Sequence, residues 1–363
     1  MAVIDKYLKM MVDHGASDLH LCTGNKPIFR KDGSMVALRS EEELSDDAVR
    51  NLLWEIMPHK NQEEFAAVHD TDFAHEIPDV GRFRSNVFMD HKGIGGVFRL
   101  IPSTILTCEQ LNLPEAVKKF CQLGKGLVLV TGPTGSGKST TLAALIDRIN
   151  ATRSEHIITI EDPIEFVHKN KRCLINQREV HTHTKSFKAA LRAALREDPD
   201  IVLVGEMRDL ETTHIAIETA ETGHLVFGTL HTTTAISTVD RLIDQFPAEQ
   251  QDQIRTMLSG TLKGVIAQNL LKKKGGGRVA AIEVLIVNQA VSSQIREAKT
   301  SQIMSIMQTA KKEGMTLLND ELARLCKEDV VEPEEAWKKA VDKDGFMKQL
   351  ESVGVKYTAP VEE

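Results

Sequence analysis

The segment GPTGSGKS at 132–139 lies between an apolar run, GLVLVT, and a helix-forming run that begins TLAALID. It matches G-x-x-x-x-G-K-[ST] in the strand–loop–helix setting that a phosphate loop requires. The glycines let backbone N–H groups close around β- and γ-phosphates, and the helix N-terminus adds favourable dipole potential. Gly132, Pro133, Thr134, Gly135, Ser136, Gly137, Lys138, Ser139 and Thr140 are therefore the expected ATP-binding residues. Lys138 supplies a point charge to the phosphates, and Ser139 offers its hydroxyl to Mg²⁺.

Two further apolar runs end in acids. DIVLVGEMRD carries Glu206 two residues beyond its apolar stretch. Ligands of open parallel sheets sit beyond the carboxyl ends of the strands, so Glu206 is placed to hold a Mg²⁺-bound water. Most phosphate-loop enzymes put an aspartate there instead. HIITI runs into EDPIEF, which offers Glu161, Asp162 and Glu165. Hydrolysis needs a group that orients or deprotonates water in line with the γ-phosphate. Spacing alone leaves all three open, with a slight preference for Glu165 because Pro163 bends the chain back.

In GHLVFGTLHTTT (223–234) two histidines flank an apolar run. A strand advances ~3.3 Å per residue, so His224 and His231 stand roughly 20 Å apart if the run is extended. They cannot share one metal ion. His231 lies at the carboxyl end and can sense a γ-phosphate. His224 lies at the other end, suited to capping a turn or reaching a neighbouring subunit. Arg82 and Arg84 sit on one side of a strand with Phe83 on the other, and Arg99 follows Phe98 on another strand. Arg192 and Arg196, four apart after Ser186, give a cationic face or a merely solvated one.

These groups need a parallel sheet to position them. From about residue 124, continuous apolar runs alternate with helical segments, which indicates a parallel sheet covered on both faces. The chain divides into a small α/β domain (1–101), a linker (102–113), an α/β ATPase core (114–289) and a helical C-terminal region (290–363). In the first domain the spacing predicts a helix over 3–12, a strand at SDLHL, a helix from Ser45 closed by Pro58, and strands at 83–88 and 96–101. KKKGGG at 272–277 reads as a solvated hairpin turn.

Composition removes other classes. A net charge of −7 gives no basic field for neutralising phosphates, so a nucleic-acid partner is disfavoured. The five cysteines show no C-x-x-C pair, which fits neither a disulfide framework nor a zinc site and predicts reduced thiols. MAVIDKYLKMMVDHG lacks the apolar core of a signal peptide, and no run approaches the ~18–20 residues of a membrane span. The expectation is a cytoplasmic protein with no direct membrane insertion.

GPTGSGKSTTLAALID, ITIEDPIEF, NQREV, LREDPDIVLVGEMRD and ETGHLVFGTLHTTTA together resemble the secretion ATPases of type IV pilus and type II secretion systems. GASDLHL and GRFRSNVF extend the likeness into the first domain. The retraction ATPases of type IV pili are the closest likeness. The resemblance implies a PAS-like N-terminal domain joined to a RecA-like core, and a homohexameric ring that hydrolyses ATP with Mg²⁺ to power pilus retraction and twitching motility. It assigns Glu165 as the catalytic glutamate of the Asp box, VGEMRD as an atypical Walker B segment with Glu206 as its acid, and the stretch around His231 as the His box. It supports arginine fingers from the RFR and FRL segments, with Arg84 and Arg99 preferred and Arg82 still open. Assembly ATPases carry extra N-terminal domains and a four-cysteine zinc site, and their lack here favours retraction. Implied partners are an inner-membrane platform protein, which would hold the ATPase at the inner face of the cytoplasmic membrane, and a paralogous retraction ATPase. AVSSQIREAKTSQIMSIMQT (290–309) resembles the AIRNLIRE element of the retraction ATPases, although Ser292 and Ser293 break the match. It makes Arg296 a candidate for coupling hydrolysis to motion.

Overall fold

The computed structural model describes residues 2–31, 34–78, 80–101 and 104–359. Pro102 and Ser103, the first residues of the expected linker, lie outside them. Two compact units result, Met1–Thr104 and Ile105–Glu363.

The first unit contains α1 (Asp5–Asp13), β1 (Asp18–Cys22), β2 (Ile28–Lys31), β3 (Ser34–Ala37), α2 (Asp46–Trp54), α3 (His59–Val68), β4 (Asp70–Ile77), β5 (Gly81–Asp90) and β6 (Gly93–Ile101). Its strands form a sheet in the order β3-β2-β1-β6-β5-β4, antiparallel throughout. Ile4 at the N-cap of α1, Leu8 and Met11 of α1, Val49 and Leu53 of α2, and Phe65 of α3 pack with Leu19, Phe83, Val87 and Phe98 of the sheet. Helix α2 stops at Trp54 rather than running to Pro58. Pro58 instead precedes α3 as its N-cap residue, since proline's fixed φ and missing N–H suit a helix start. Strand β4, DTDFAHEI, escapes the periodicity reading because polar and charged residues occupy most of it and only Thr71 and Ile77 are buried.

The second unit contains α4 (Glu115–Lys119), β7 (Gly126–Thr131), α5 (Lys138–Thr152), β8 (His156–Glu161), β9 (Leu174–Glu179), α6 (Phe187–Ala194), β10 (Ile201–Val204), α7 (Leu210–Glu221), β11 (Leu225–Leu230), α8 (Ala235–Asp244), α9 (Ala248–Thr261), β12 (Leu262–Lys272) and β13 (Arg278–Ile286). Helices α10 (Gln289–Arg296), α11 (Ile303–Thr309), α12 (Leu318–Lys327), α13 (Pro333–Lys339) and α14 (Lys343–Ser352) follow. The sheet runs β13-β12-β7-β11-β10-β8-β9. All neighbours are parallel except β12 and β13. Alternate strand residues serve opposite layers: Leu127 and Leu129 pack with α6–α11, while Val128 and Val130 pack with α4 and α5. That is why these strands read as continuous apolar runs. Cys108 and Leu113, within the stretch read as linker, are buried in the α5 layer. The KKKGGG segment closes the β12–β13 hairpin, and Lys274 there pairs with Asp329 at 2.6 Å.

Candidate active site at the carboxyl ends of the parallel strands

Register brings the candidate groups together. Thr131 of β7 pairs with Leu230 of β11, and Val204 of β10 pairs with Gly228 of β11 and Ile160 of β8. The phosphate loop, His231, Glu206 and the acids after β8 therefore leave four adjacent strands at the same edge.

The phosphate loop leaves β7 at Gly132 and enters α5 at Lys138. Gly132, Gly135 and Gly137 adopt φ of 141°, 77° and 91°, conformations in which a side chain is strained. Lys138 Nζ donates to the carbonyls of Gly132 at 2.8 Å and Pro133 at 3.1 Å. Burial lowers its ammonium pKa, opposed by the charges of Glu206 and Glu165. The buried Ser136 hydroxyl has no hydrogen-bond partner. A half-buried ammonium held mainly by loop carbonyls, beside a hydroxyl with no hydrogen-bond partner among the described residues and a glycine cradle, fits a polyphosphate. Ser139 and Thr140 open α5, with Ser139 lining the cleft beside Glu161, His168 and Gly205.

Glu206 is clamped. Its Oε1 meets His231 Nε2 at 2.8 Å and also pairs with Arg208. Burial would raise its carboxyl pKa, but Arg208 and His231 outweigh that and hold it below the usual range. His231 Nδ1 in turn faces Lys138 Nζ at 3.4 Å. Lysine only donates and a carboxylate only accepts, so in this pattern His231 accepts at Nδ1 and donates from Nε2. The hydroxyl of Ser139 and the carboxylate of Glu206 are hard oxygen donors of the kind Mg²⁺ takes.

The three acids after β8 separate by environment. Glu161 accepts from Thr159 Oγ1 at 2.6 Å and Gln177 Nε2 at 3.2 Å, and burial pushes its carboxyl pKa up. Asp162 is exposed, close enough for its charge to act on Arg208. Glu165 follows the cis Asp162–Pro163 bond. Its side chain is exposed and makes no hydrogen bond or ion pair among the described residues, yet its charge acts on Lys138. The loop that carries it hangs from β9. Gln177 Nε2 donates to the Phe166 carbonyl at 2.8 Å, His168 N–H donates to Gln177 Oε1 at 2.7 Å, and Ile164 N–H donates to Glu179 at 3.0 Å.

His224 stands apart, with Nδ1 3.1 Å from the Thr219 carbonyl at the end of α7. In the first unit, Arg84 and Arg99 are directly opposite one another on β5 and β6. Arg99 Nε pairs with the buried Asp18 at 2.8 Å, and Arg84 with the exposed Asp72 at 3.7 Å. Arg82 shares β5 with Arg84, and Phe83 between those two is fully buried. Arg192 is exposed on α6, but Arg196 lies beyond that helix, which ends at Ala194. Arg296 is exposed at the last turn of α10.

Arg208, Gln177, Glu179 and Gln268 of β12 belong to this site and were not found by motif. Arg208 was legible in part, because VGEMRD places an arginine two residues after the acid. The others act from neighbouring strands, so only the topology reveals them.

The chain matches the family model described as type II/IV secretion system protein over residues 1–338, and it belongs to that family. It is 51% identical over 343 residues to the type IV pilus retraction ATPase PilT of Pseudomonas aeruginosa, covering 94% of this chain and 99% of that protein. It is 50% identical over 321 residues to a twitching motility protein of Neisseria gonorrhoeae, covering 88% and 86%. The crystal structure of the pilus retraction motor PilT with bound ADP superimposes with a TM-score of 0.89 at 46% identity, covering 95% of this chain and 98% of that one.

Proposed function

We propose that this chain is an ATP-hydrolysing motor that powers type IV pilus retraction as a homohexamer. The observation that carries the reading is the linked set at the strand ends: Lys138, His231 and Glu206 in one hydrogen-bonded chain, with the uncommitted Glu165 carboxylate acting on Lys138. The relatives' names supply the biological process. Lys138 would exchange its loop carbonyls for phosphate oxygens. His231 would report the γ-phosphate to Glu206. Glu165, free of partners, would orient or deprotonate the attacking water, and the buried, twice-donated Glu161 suits that role less. Ser139 would hold Mg²⁺ directly and Glu206 through water, and the ion supplies charge neutralisation at the phosphates. Arg84 and Arg99 share a face of the first unit, which supports their acting as a pair on a γ-phosphate when the ring closes.

The exposed Arg296 supports a coupling surface for an inner-membrane platform protein, through which the ring would sit at the cytoplasmic membrane. A paralogous retraction ATPase joining the ring is a further part of the proposal, resting on the resemblance alone. The decisive experiment complements cells that lack this protein. The wild-type chain should restore retraction and Lys138→Ala should not. Retraction restored by Lys138→Ala would overturn the motor reading in favour of an accessory, nucleotide-independent subunit. Arg296→Ala should keep ATPase activity and lose retraction, and parallel loss of both would remove its coupling role.

A further inference from the structure

Strand β12 lies beside β7 with Ala267 opposite Thr131. The next residue, Gln268, therefore stands level with Gly132, where the phosphate loop begins. Gln268 is buried, with 2% of its surface exposed, and both ends of its amide are committed to the loop and the helix behind it. Nε2 donates to the Ser136 carbonyl at 2.7 Å, and Oε1 accepts from the Thr141 hydroxyl at 2.8 Å. Its surroundings also explain two loop glycines. A Cβ on Gly132 would lie 2.2 Å from the Gln268 carbonyl oxygen, and one on Gly137 would lie 2.7 Å from Gln268 Nε2. The loop is thus moulded against one residue, backbone carbonyl and side-chain amide both, of a strand that carries no nucleotide motif.

The physical need is plain. A loop with three positive-φ glycines has many conformations, and each phosphate contact is weakened by the fraction of time the loop is elsewhere. A buried amide that holds the Ser136 carbonyl fixes that peptide plane, so the Gly137 N–H across the trans peptide points the opposite way, away from Gln268. We infer that Gln268 is a positioning residue that holds the phosphate loop in its nucleotide-binding shape from the neighbouring strand. It touches no phosphate itself. The inference rests on the nucleotide site described above and not on retraction.

The test uses the full-length protein and ADP as the probe. Gln268→Met keeps the volume and removes both hydrogen bonds. With net values of about 1 kcal/mol for each bond, the ADP Kd should rise about 10- to 30-fold. The KM for ATP should rise similarly, with kcat within about threefold, because the group makes no contact that forms only in the transition state. Gln268→Glu keeps the acceptor for Thr141 but sets a carboxylate oxygen against the Ser136 carbonyl in place of the donor, so it should bind ADP at least as weakly as Gln268→Met. Thr141→Val leaves the Ser136 bond intact and should weaken ADP by about two- to fivefold. The double variant Gln268→Met/Thr141→Val should be no weaker than Gln268→Met alone, since the two share one interaction. Wild-type ADP affinity in a folded Gln268→Met protein, or a fall in kcat at constant KM, would overturn the inference. If Gln268→Met does not fold, Thr141→Val decides: unchanged ADP affinity there would also overturn it. ADP binding is indifferent to pilus work, so failure of the motor reading would appear separately, as wild-type protein that does not support retraction.

Discussion

Two neighbouring strands, β8 and β10, both run out into acids at the same edge of the sheet, and the acids are treated in opposite ways. After β10, Glu206 is fixed by His231 and Arg208 and held ionised. At the end of β8, Glu161 accepts from two side chains and has its pKa raised by desolvation, while the side chain of Glu165 four residues on is left uncommitted. A pinned carboxylate suits a group that must hold a cation's water shell at one place. A free one suits a group that must accept a proton from a moving water. Residue type is the same in all three, and environment divides the labour.

The largest effect should come from the free acid. Glu165→Gln should lower kcat by about 10³-fold with ATP binding retained, within the range for a positioned base, whereas Glu161→Gln should cost little. Single-turnover hydrolysis and equilibrium ATP binding on both variants check this, and a reversed ranking would move the base to Glu161.

The arginines come next. Arg84→Ala should slow hydrolysis by about 100-fold, less than a full finger because the charge is shared between two arginines. ADP affinity should stay within about twofold, because ADP lacks the γ-phosphate. Arg84 is the cleaner probe, since Asp72 is exposed, whereas removing Arg99 strands the buried Asp18 without its cation and costs stability as well. Equal losses of ADP affinity and rate would mark a structural role.

The histidines sharpen the same contrast between bound and unbound groups. His231→Ala frees Glu206 and should slow turnover about tenfold, equal to about 1.4 kcal/mol on the barrier. His224→Ala breaks only the cap on α7 and should leave single-site hydrolysis near normal. Comparable losses in the two would refute the assignment of His231 to the phosphate.

The smallest effect concerns another acid, buried and remote from the phosphates. Glu283 of β13 accepts from the N–H groups of Ala235 at 2.6 Å and Leu318 at 3.0 Å, the first residues of α8 and α12. Burial nonetheless raises its carboxyl pKa above the ordinary 4.5. The folded state then binds the proton more tightly than the unfolded one, so stability falls as pH rises from about 4.5 through the raised value. Glu283→Gln lacks that slope. Denaturant unfolding at pH 5 and pH 8 should show the wild-type advantage over Glu283→Gln shrinking at the higher pH. An advantage that grows with pH would mean the two helix ends prevail over burial.

The four main strands and the phosphate loop were legible because their apolar runs and glycine spacing are local signals. GLVLVT and HLVFGTLH read as buried strands for the same reason that they are buried on both faces. The partition among Glu161, Asp162 and Glu165 was not legible, because it depends on Gln177, which lies on β9 and meets β8 only through the sheet. Gln268 was hidden for a related reason: LKGVIAQNLLK reads as an apolar strand with an incidental amide until β12 is set beside β7. Strand β4 was missed because its outward faces are charged, and α3 because Pro58 was taken for an end rather than a beginning.

The position of β9 has one more consequence. It is the last strand of its sheet, paired on one side only, and the Glu165 loop hangs from it by Gln177 and Glu179. Edge strands open at lower free energy than central ones, while the phosphate loop is rooted in β7, flanked by β12 and β11. Fraying of β9 would carry the Glu165 carboxylate away from Lys138 and leave the phosphate loop in place. With Glu165 in the role proposed for it, nucleotide retention and nucleotide consumption would have separate thermal lifetimes within one domain.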